Sequence, residues 1–244
     1  MCLSARGQTD SLVLPADTLI PRIHQVLLVP YDDVMYSNEP GIGLDDSLGF
    51  SKDDLQQLVY RTILEQIVTA GDQYFDVTEI AHTGEPGGEA ILKKVTWSIQ
   101  RSYQSIPAAT DRPELGPDST ETSPMYHLIL SNIFMDKFDR YLRTTIYDKS
   151  LCDLFRERFG CDYVLFLSQV AISCEDTEKP INDPAPNCWL LMHYTFMDVE
   201  GDIKTGGIAR VPFNEYKTGS AELTNELIPQ LAQLTWWKIT HSIY

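Results

Sequence analysis

The stretch Phe159-Gly-Cys-Asp-Tyr-Val-Leu-Phe-Leu-Ser-Gln-Val170 decides the fold class. A glycine ends a helix-like segment there, and an apolar run typical of a buried strand begins at Asp162. The pattern then predicts a second strand over 188–198, a turn at Asp198-Val-Glu-Gly201 and a third strand from Ile203. This order predicts a helix followed by an antiparallel hairpin.

The chain upstream predicts a strand, a helix and a second strand. Ile23-His-Gln-Val-Leu-Leu-Val-Pro30 is a short apolar run ended by proline, and Tyr74-Phe-Asp-Val-Thr-Glu-Ile80 is rich in strand-forming residues. Between them, Ser51-Lys-Asp-Asp54 is typical of a helix start, and one apolar stripe follows it. These elements predict an α/β (α+β) fold: a single mixed sheet flanked by helices, with a C-terminal antiparallel hairpin and a terminal helix.

Further helices are predicted from apolar positions that recur every three to four residues. They cover about 89–102, 124–147, 149–159 and 221–243. Pro229 should kink the last of these helices or mark its true beginning. The 81–122 stretch breaks the α/β order with Gly, Pro, Ser and Thr, and we interpret it as an insertion.

The domain organisation follows from length and composition. We expect residues 1–22 to be a signal-peptide remnant and extended lead-in, and 23–244 to be a single domain with the insertion. The net charge of −16 disfavours binding to nucleic acid and to anionic lipid. No apolar run in the sequence reaches the length of a membrane span.

The N-terminus predicts export. Ala5 and Gly7 are small residues at the third and first positions before a cut at Gln8, as a signal peptidase requires. In a second export interpretation, Cys2 is lipidated. In the alternative, the small residues have no meaning and the chain begins with a frayed cytosolic terminus.

Cysteine spacing predicts one disulfide and no zinc site. Cys174 and Cys188 lie at facing ends of two predicted strands, so antiparallel pairing would bring them together. The alternative is two unrelated small apolar side chains. Cys152 and Cys161 have no base nearby in sequence, which argues against a nucleophile.

Motifs for catalysis, cofactors or metals are not recognised. The five histidines are scattered, and no G-x-S-x-G, P-loop or G-x-G-x-x-G occurs. His193 falls inside a strand, where a structural role is the ordinary one. Asp198, Glu200 and Asp202 have superficially metal-like spacing, but a hairpin turn explains them better. We therefore predict no catalytic, cofactor-binding or metal-binding residues.

Aromatic side chains near polar or inserted segments are candidate interface residues. They are Tyr31 and Tyr36, which lie in the 31–50 loop, and Trp97 and Tyr103, which lie in the insertion. We expect Trp236 to belong to the core. Partner binding is expected at the 31–50 loop or the insertion, because loops often mediate recognition.

The order of elements resembles the domain shared by the curli-secretion-channel lipoprotein and the outer-membrane lipoprotein activators of penicillin-binding proteins. It is also similar to the amino-terminal domain of TolB. The matching segments are Val26–Tyr31, the helix from Ser51, Phe75–Thr78, Phe159–Leu165 and the Asp198–Gly201 hairpin. The phrase Val29-Pro-Tyr-Asp-Asp-Val-Met-Tyr36 also resembles uncharacterised exported proteins of Bacteroidetes-type bacteria. The resemblance implies a protein-contact domain of the bacterial envelope without catalytic residues.

Three functional hypotheses remain at the level of sequence. The first is a non-enzymatic protein of the periplasm or outer membrane that acts through interaction or assembly with a protein partner. The second is a periplasmic small-ligand-binding or hydrolytic protein that uses the acidic loop over 31–54. The third is a cytoplasmic regulatory domain, for which reduced cysteines and an uncut N-terminus would speak.

Overall fold

The structure is a computed structural model that describes residues 24–32, 35–38, 51–80, 88–105, 140–174, 188–214 and 218–243. The predicted lead-in over 1–22 and most of the 31–50 loop lie outside these ranges. Within them, none of the helices has the length and apolar character needed to cross a bilayer.

The described residues include eight strands and five α-helices. The strands are β1 (Gln25–Val29), β2 (Tyr36–Asn38), β3 (Asp76–Glu79), β4 (Ile99–Ser105), β5 (Arg140–Ile146), β6 (Tyr163–Cys174), β7 (Cys188–Asp198) and β8 (Ile203–Phe213). The helices are α1 (Lys52–Gly71), α2 (Gly88–Ser98), α3 (Ser150–Leu154), α4 (Ser220–Glu222) and α5 (Ile228–Ile243). π-Helical turns at Phe155–Phe159 and Leu223–Leu227 extend α3 and join α4 to α5.

The main sheet is mixed, as predicted. Its order is β3-β1-β6-β7-β8, with β1 parallel to β3 and β6, and with β6, β7 and β8 antiparallel. The short β2 pairs in parallel with the far end of β6, beyond the part that pairs with β1. The β6–β7 pairing shifts register at Ser168, which is an extra residue between Leu167 and Gln169.

The helix boundaries follow the local chemistry of the sequence. Ser51 accepts a hydrogen bond from the backbone N–H of Asp54 at 3.2 Å, so the predicted helix start is confirmed. Gly160 ends the π-helical turn with a φ of 63°, a conformation that favours glycine. Pro229 lies in the first turn of α5, directly after the π-helical turn that joins this helix to α4, so it falls inside one continuous helical segment rather than at its beginning.

Helices α1 and α5 cover one face of the main sheet and enclose its larger core. Trp236 of α5 is fully buried there, as predicted, and its indole N–H donates to the backbone carbonyl of Ile67 in α1 at 2.8 Å. Because the polar edge of this ring has a partner, the large apolar side chain can be buried without a desolvation penalty.

The opposite face of the main sheet is covered by α2, α3 and a second sheet, which consists of β4 and β5. Tyr141 of β5 packs with residues of β6, β7 and β8, namely Ala171, Trp189, Leu191 and Ile208. The molecule therefore has three layers, with the main sheet in the middle.

Two predictions for the helices are wrong. Residues 140–146 of the predicted 124–147 helix form β5, and the predicted 89–102 helix ends at Ser98, where the chain continues directly into β4. The seven residues of each strand pair in consecutive register from Ile99–Ile146 to Ser105–Arg140. Pairing with a distant strand thus overrides the local helical pattern. The rest of the predicted 124–147 helix, residues 124–139, lies outside the described residues.

We predict that Gly206→Ala destabilises the protein by about 1–3 kcal/mol, because overpacking forces neighbouring atoms to move. A Cβ at Gly206 would lie 2.8 Å from Cε2 of Tyr141, where the second sheet meets β8. Urea unfolding measures the change. The matched control is Gly219→Ala, whose added Cβ has no atom within 4 Å. Equal stability of the two variants would contradict the close packing of β5 on β8.

Candidate interaction surface

The layer formed by α2, α3 and the second sheet, called here the second layer, presents three exposed aromatic side chains. Trp97 of α2 is 77% exposed, Tyr103 of β4 is 59% exposed, and Tyr147 after β5 is 64% exposed. Among the described residues they account for three of the four exposed large hydrophobic side chains, the fourth being Tyr74. We call Trp97, Tyr103 and Tyr147 the exposed aromatic group. Exposed aromatic side chains that are concentrated in one layer indicate an interaction site.

The exposure of Trp97 follows from the way α2 is anchored. Ile91 and Val95, one helical turn apart, are buried in the core beneath α2, and so is Ile99 at the start of β4. This places Trp97 away from the buried stripe. Tyr147 lies next to this helix end, because its backbone N–H donates to the carbonyl of Ser98 at 3.2 Å.

Strand β5 is held on the main sheet by side chains that accept hydrogen bonds from its backbone. The N–H of Leu142 donates to Nδ1 of His193 at 2.8 Å, and the N–H of Thr144 donates to Oγ1 of Thr195 at 3.0 Å. The hydroxyl oxygens of Thr144 and Ser168 lie 2.8 Å apart. All these groups are buried, where a polar group without a hydrogen-bond partner would destabilise the fold. Each of these bonds therefore stabilises the position of β5.

His193 fills this structural role in its neutral form. Burial lowers its pKa from the usual 6.5 to about 4. Since Nδ1 accepts the bond from Leu142, the ring proton of the neutral form is on Nε2. The sequence-based interpretation of His193 as a structural histidine is confirmed.

Part of the second layer is basic, although α3 contributes the acidic Asp153. Helix α2 and strands β4 and β5 contain five basic residues and one acidic residue, a net charge of +4. The whole chain has −16, so the remainder has −20. The basic residues are Lys93, Lys94, Arg101, Arg140 and Arg143. Partial burial lowers the pKa of the Arg101 guanidinium, and the carboxylate of Asp32 opposes this effect.

The interface residues predicted from sequence fall into two groups. Trp97 and Tyr103 are exposed on the second layer. Tyr31 is only 2% exposed and packs edge-on against Tyr60, with ring centroids 5.2 Å apart. Tyr36 is partly buried against the same core. We therefore correct the assignment of Tyr31, which contributes to the core, and give Tyr36 no role in the exposed surface.

Sequence reasoning missed Tyr147 and the basic residues of β5. The helix predicted over 124–147 concealed them, because it assigned Arg143 and Tyr147 to helical positions. The run Thr144-Thr-Ile146 is β-branched and was the available signal for a strand.

The cysteines behave in two ways. Cys174 and Cys188 are paired across β6 and β7 and form the predicted disulfide. Cys152 and Cys161 are free and buried. Burial raises the pKa of both thiols, that of Cys161 to about 12, so the reactive thiolate is disfavoured at neutral pH.

The acidic segments give no metal site in the described ranges. Asp198 Oδ1 accepts from the backbone N–H groups of Glu200 and Asp202, and its Oδ2 pairs with Lys204 Nζ at 2.6 Å. This confirms the interpretation of 198–202 as a hairpin turn. In the described part of the chain, no cluster of three His, Cys, Asp or Glu could hold a metal ion. Most of the acidic loop lies outside it.

We predict that His193→Asn reduces the dependence of stability on pH between 6.5 and 4. The folded-state pKa of His193 is depressed, so its neutral form stabilises the fold fully above pH 6.5, and this contribution falls as pH decreases toward 4. The wild-type loss from this group is on the order of 3 kcal/mol. Urea unfolding of both proteins at several pH values gives the difference. Parallel pH curves would contradict this role of His193.

The comparisons with known proteins leave the family open. No protein-family model matches the chain, and no curated protein matches it. Among solved structures, it is similar to the crystal structure of lipoprotein GNA1162 from Neisseria meningitidis, with 11% sequence identity and a TM-score of 0.36. That alignment covers 89% of this chain and 99% of the other.

Proposed function

We propose that this protein is exported to the bacterial envelope and acts there, without catalysis, by binding another protein through the exposed aromatic group. The observation on which this rests is the exposure of Trp97, Tyr103 and Tyr147 on one layer, whereas the other large apolar side chains of the described residues are mostly buried. Tryptophan and tyrosine are enriched among the residues that dominate binding energy at interfaces.

The disulfide supports the export part of the proposal. Cys174–Cys188 bridges two central strands, and disulfides persist mainly in oxidising compartments such as the periplasm. The charge distribution supports a protein partner, since a net charge of −16 repels nucleic acid and anionic lipid.

The environments of several reactive groups favour binding over catalysis. The thiols of Cys152 and Cys161 have raised pKa values, which disfavours a nucleophile. His193 of β7 is buried beneath the second sheet, and its Nδ1 accepts the backbone N–H of Leu142. The ligand-binding or hydrolytic hypothesis for the 31–54 loop stays a prediction, and loss of an activity on Asp32→Ala or Asp45→Ala with the fold retained would favour it.

We predict that the chain purified from its source cells is oxidised at Cys174–Cys188 and has a processed N-terminus. Intact mass with and without reductant, followed by peptide mapping, tests both points. A mature start at Gln8, or a lipid on Cys2, would agree with export. An unprocessed, fully reduced chain would contradict export and favour the cytoplasmic regulatory hypothesis.

We predict that a photoreactive amino acid at position 97, 103 or 147 crosslinks a defined envelope protein in living cells. The same amino acid at position 74 should not, because Tyr74 is 50% exposed but lies between α1 and Phe75, which pack on the other face of the main sheet. Substituting Trp97→Ala and Tyr103→Ala together should weaken capture of that protein by at least tenfold, since each such anchor contributes about 1–2 kcal/mol.

Tyr74→Ala is the matched control for this substitution, and thermal melting should show all variants folded. Removing the whole insertion would be a poor test, because Ile91, Val95 and Ile99 are buried in the core. Equal crosslinking from positions 74 and 103, or unchanged capture by the double variant, would contradict the assignment of the surface.

A further inference from the structure

We propose that the outer edge of β4 binds an extended, acidic segment of the partner as an additional antiparallel or parallel strand. This inference rests on the proposed function and specifies the chemistry of the partner. It uses the backbone of β4, whereas the proposed function uses aromatic side chains, so the two can be tested separately.

The hydrogen-bond pattern of the second sheet shows which groups of β4 point outward. In an antiparallel pair, hydrogen-bonded and non-hydrogen-bonded residue pairs alternate. The bond from Tyr147 to Ser98 makes this pair a hydrogen-bonded one. Counting by two along β4, residues 100, 102 and 104 also bond to β5, so the backbone groups of Arg101 and Tyr103 point away from it.

The opposite edge of β5 agrees with this pattern. Leu142 and Thr144, which pair with Tyr103 and Arg101, donate their N–H groups away from β4 to His193 and Thr195. One edge of the second sheet is therefore satisfied by side chains of the main sheet. The other edge is formed by β4, whose paired strand among the described residues is β5.

The edge of β4 is exposed and has few of the features that prevent strand addition. Tyr103, Gln104 and Ser105 are exposed, and Arg101 and Ser102 are partly exposed. The strand has seven residues, a continuous register and neither proline nor lysine, whereas protected edges are usually short, bulged or rich in lysine and proline. Such an edge is a template for an incoming strand.

The basic residues near β4 indicate which kind of segment would bind at its edge. Arg101 lies on the edge strand itself, and the exposed Arg140, which pairs with Ser105, is on the same face of the second sheet, whereas Arg143 is on the other face. A second copy docked edge to edge would bring two such basic surfaces together, which is unfavourable. An extended segment with Asp or Glu would be attracted, and Tyr103, on the same strand face as Arg101, offers an apolar contact to alternate side chains.

The test uses a short synthetic peptide that alternates glutamate with valine and threonine, and a matched peptide with lysine in place of glutamate. We expect the acidic peptide to bind the full chain, more weakly as salt increases, and the lysine peptide to bind at least tenfold more weakly. Amide hydrogen exchange followed by NMR should show new protection of the Arg101 and Tyr103 N–H groups when the acidic peptide is added.

Two variants separate backbone from side-chain binding. Tyr103→Pro removes an outward N–H while preserving the bonds to β5, whereas Tyr103→Ala removes only the side chain. We expect Tyr103→Pro to bind the acidic peptide about tenfold more weakly than Tyr103→Ala. Arg101→Glu should also weaken binding, and Arg61→Glu, at an exposed position of α1 on the other side of the main sheet, is the matched charge control. If Tyr103→Pro fails to fold, the exchange experiment on the wild-type chain decides.

Several results would overturn the proposal. They are equal affinity of the proline and alanine variants, unchanged exchange at Arg101 and Tyr103, and equal binding of the two peptides. Dimerisation in sedimentation experiments that Tyr103→Pro abolishes would assign the edge to a second copy instead. If envelope crosslinks from positions 97, 103 and 147 persist while strand addition fails, the proposed function stands and only this inference falls.

Discussion

Burial of β7 on both faces is the constraint on which the rest of the structure depends. Every residue from Cys188 to Met197 is buried, and β7 pairs with β6 on one side and β8 on the other. A strand of this kind needs a layer of structure over each face. Helices α1 and α5 provide one layer, and α2, α3 and the second sheet provide the other.

The two faces of β7 contact their layers through different kinds of side chain. The helical side is apolar, with Leu190, Met192 and Phe196 in the larger core. The other side presents His193 and Thr195, which accept N–H groups from β5. A strand laid edge-on against a sheet face needs such acceptors, because its backbone donors are otherwise buried without partners. The polar residues of β7 thus position the surface that we assign to binding.

Local sequence predicted the elements whose pattern and tertiary role agree. Strand β7 and its turn were predicted because an apolar and aromatic run ends at the turn residues Asp198 and Gly201, and the disulfide followed from the facing cysteines. Strand β5 was not, because apolar spacing upstream of it has a helical period, while its stability comes from pairing with β4 and from groups of β7. Such long-range partners are not visible in one sequence.

The candidate surface was therefore only half predictable. Trp97 and Tyr103 were identified because they are aromatic residues in polar or inserted segments. The burial of Tyr31 could not be predicted from the sequence, because it depends on contact with Tyr60 of α1 in the folded chain. Placing β5 beside β4 brings basic residues that are distant in sequence onto one face, since Arg140 pairs with Ser105 on the face that carries Arg101. Assembly of the site from two separated segments is the physical reason that sequence reasoning missed it.

The position of the disulfide has a consequence for the integrity of the chain. Cys174 and Cys188 join β6 to β7 at the end of a ladder that extends back to Tyr163 and Asp198. A protease cut anywhere between residues 175 and 187 would leave two polypeptide pieces joined by a covalent bond and by the backbone bonds of this ladder. The domain can thus survive cleavage of that connection as a nicked, two-chain molecule that separates only after both reduction and unfolding.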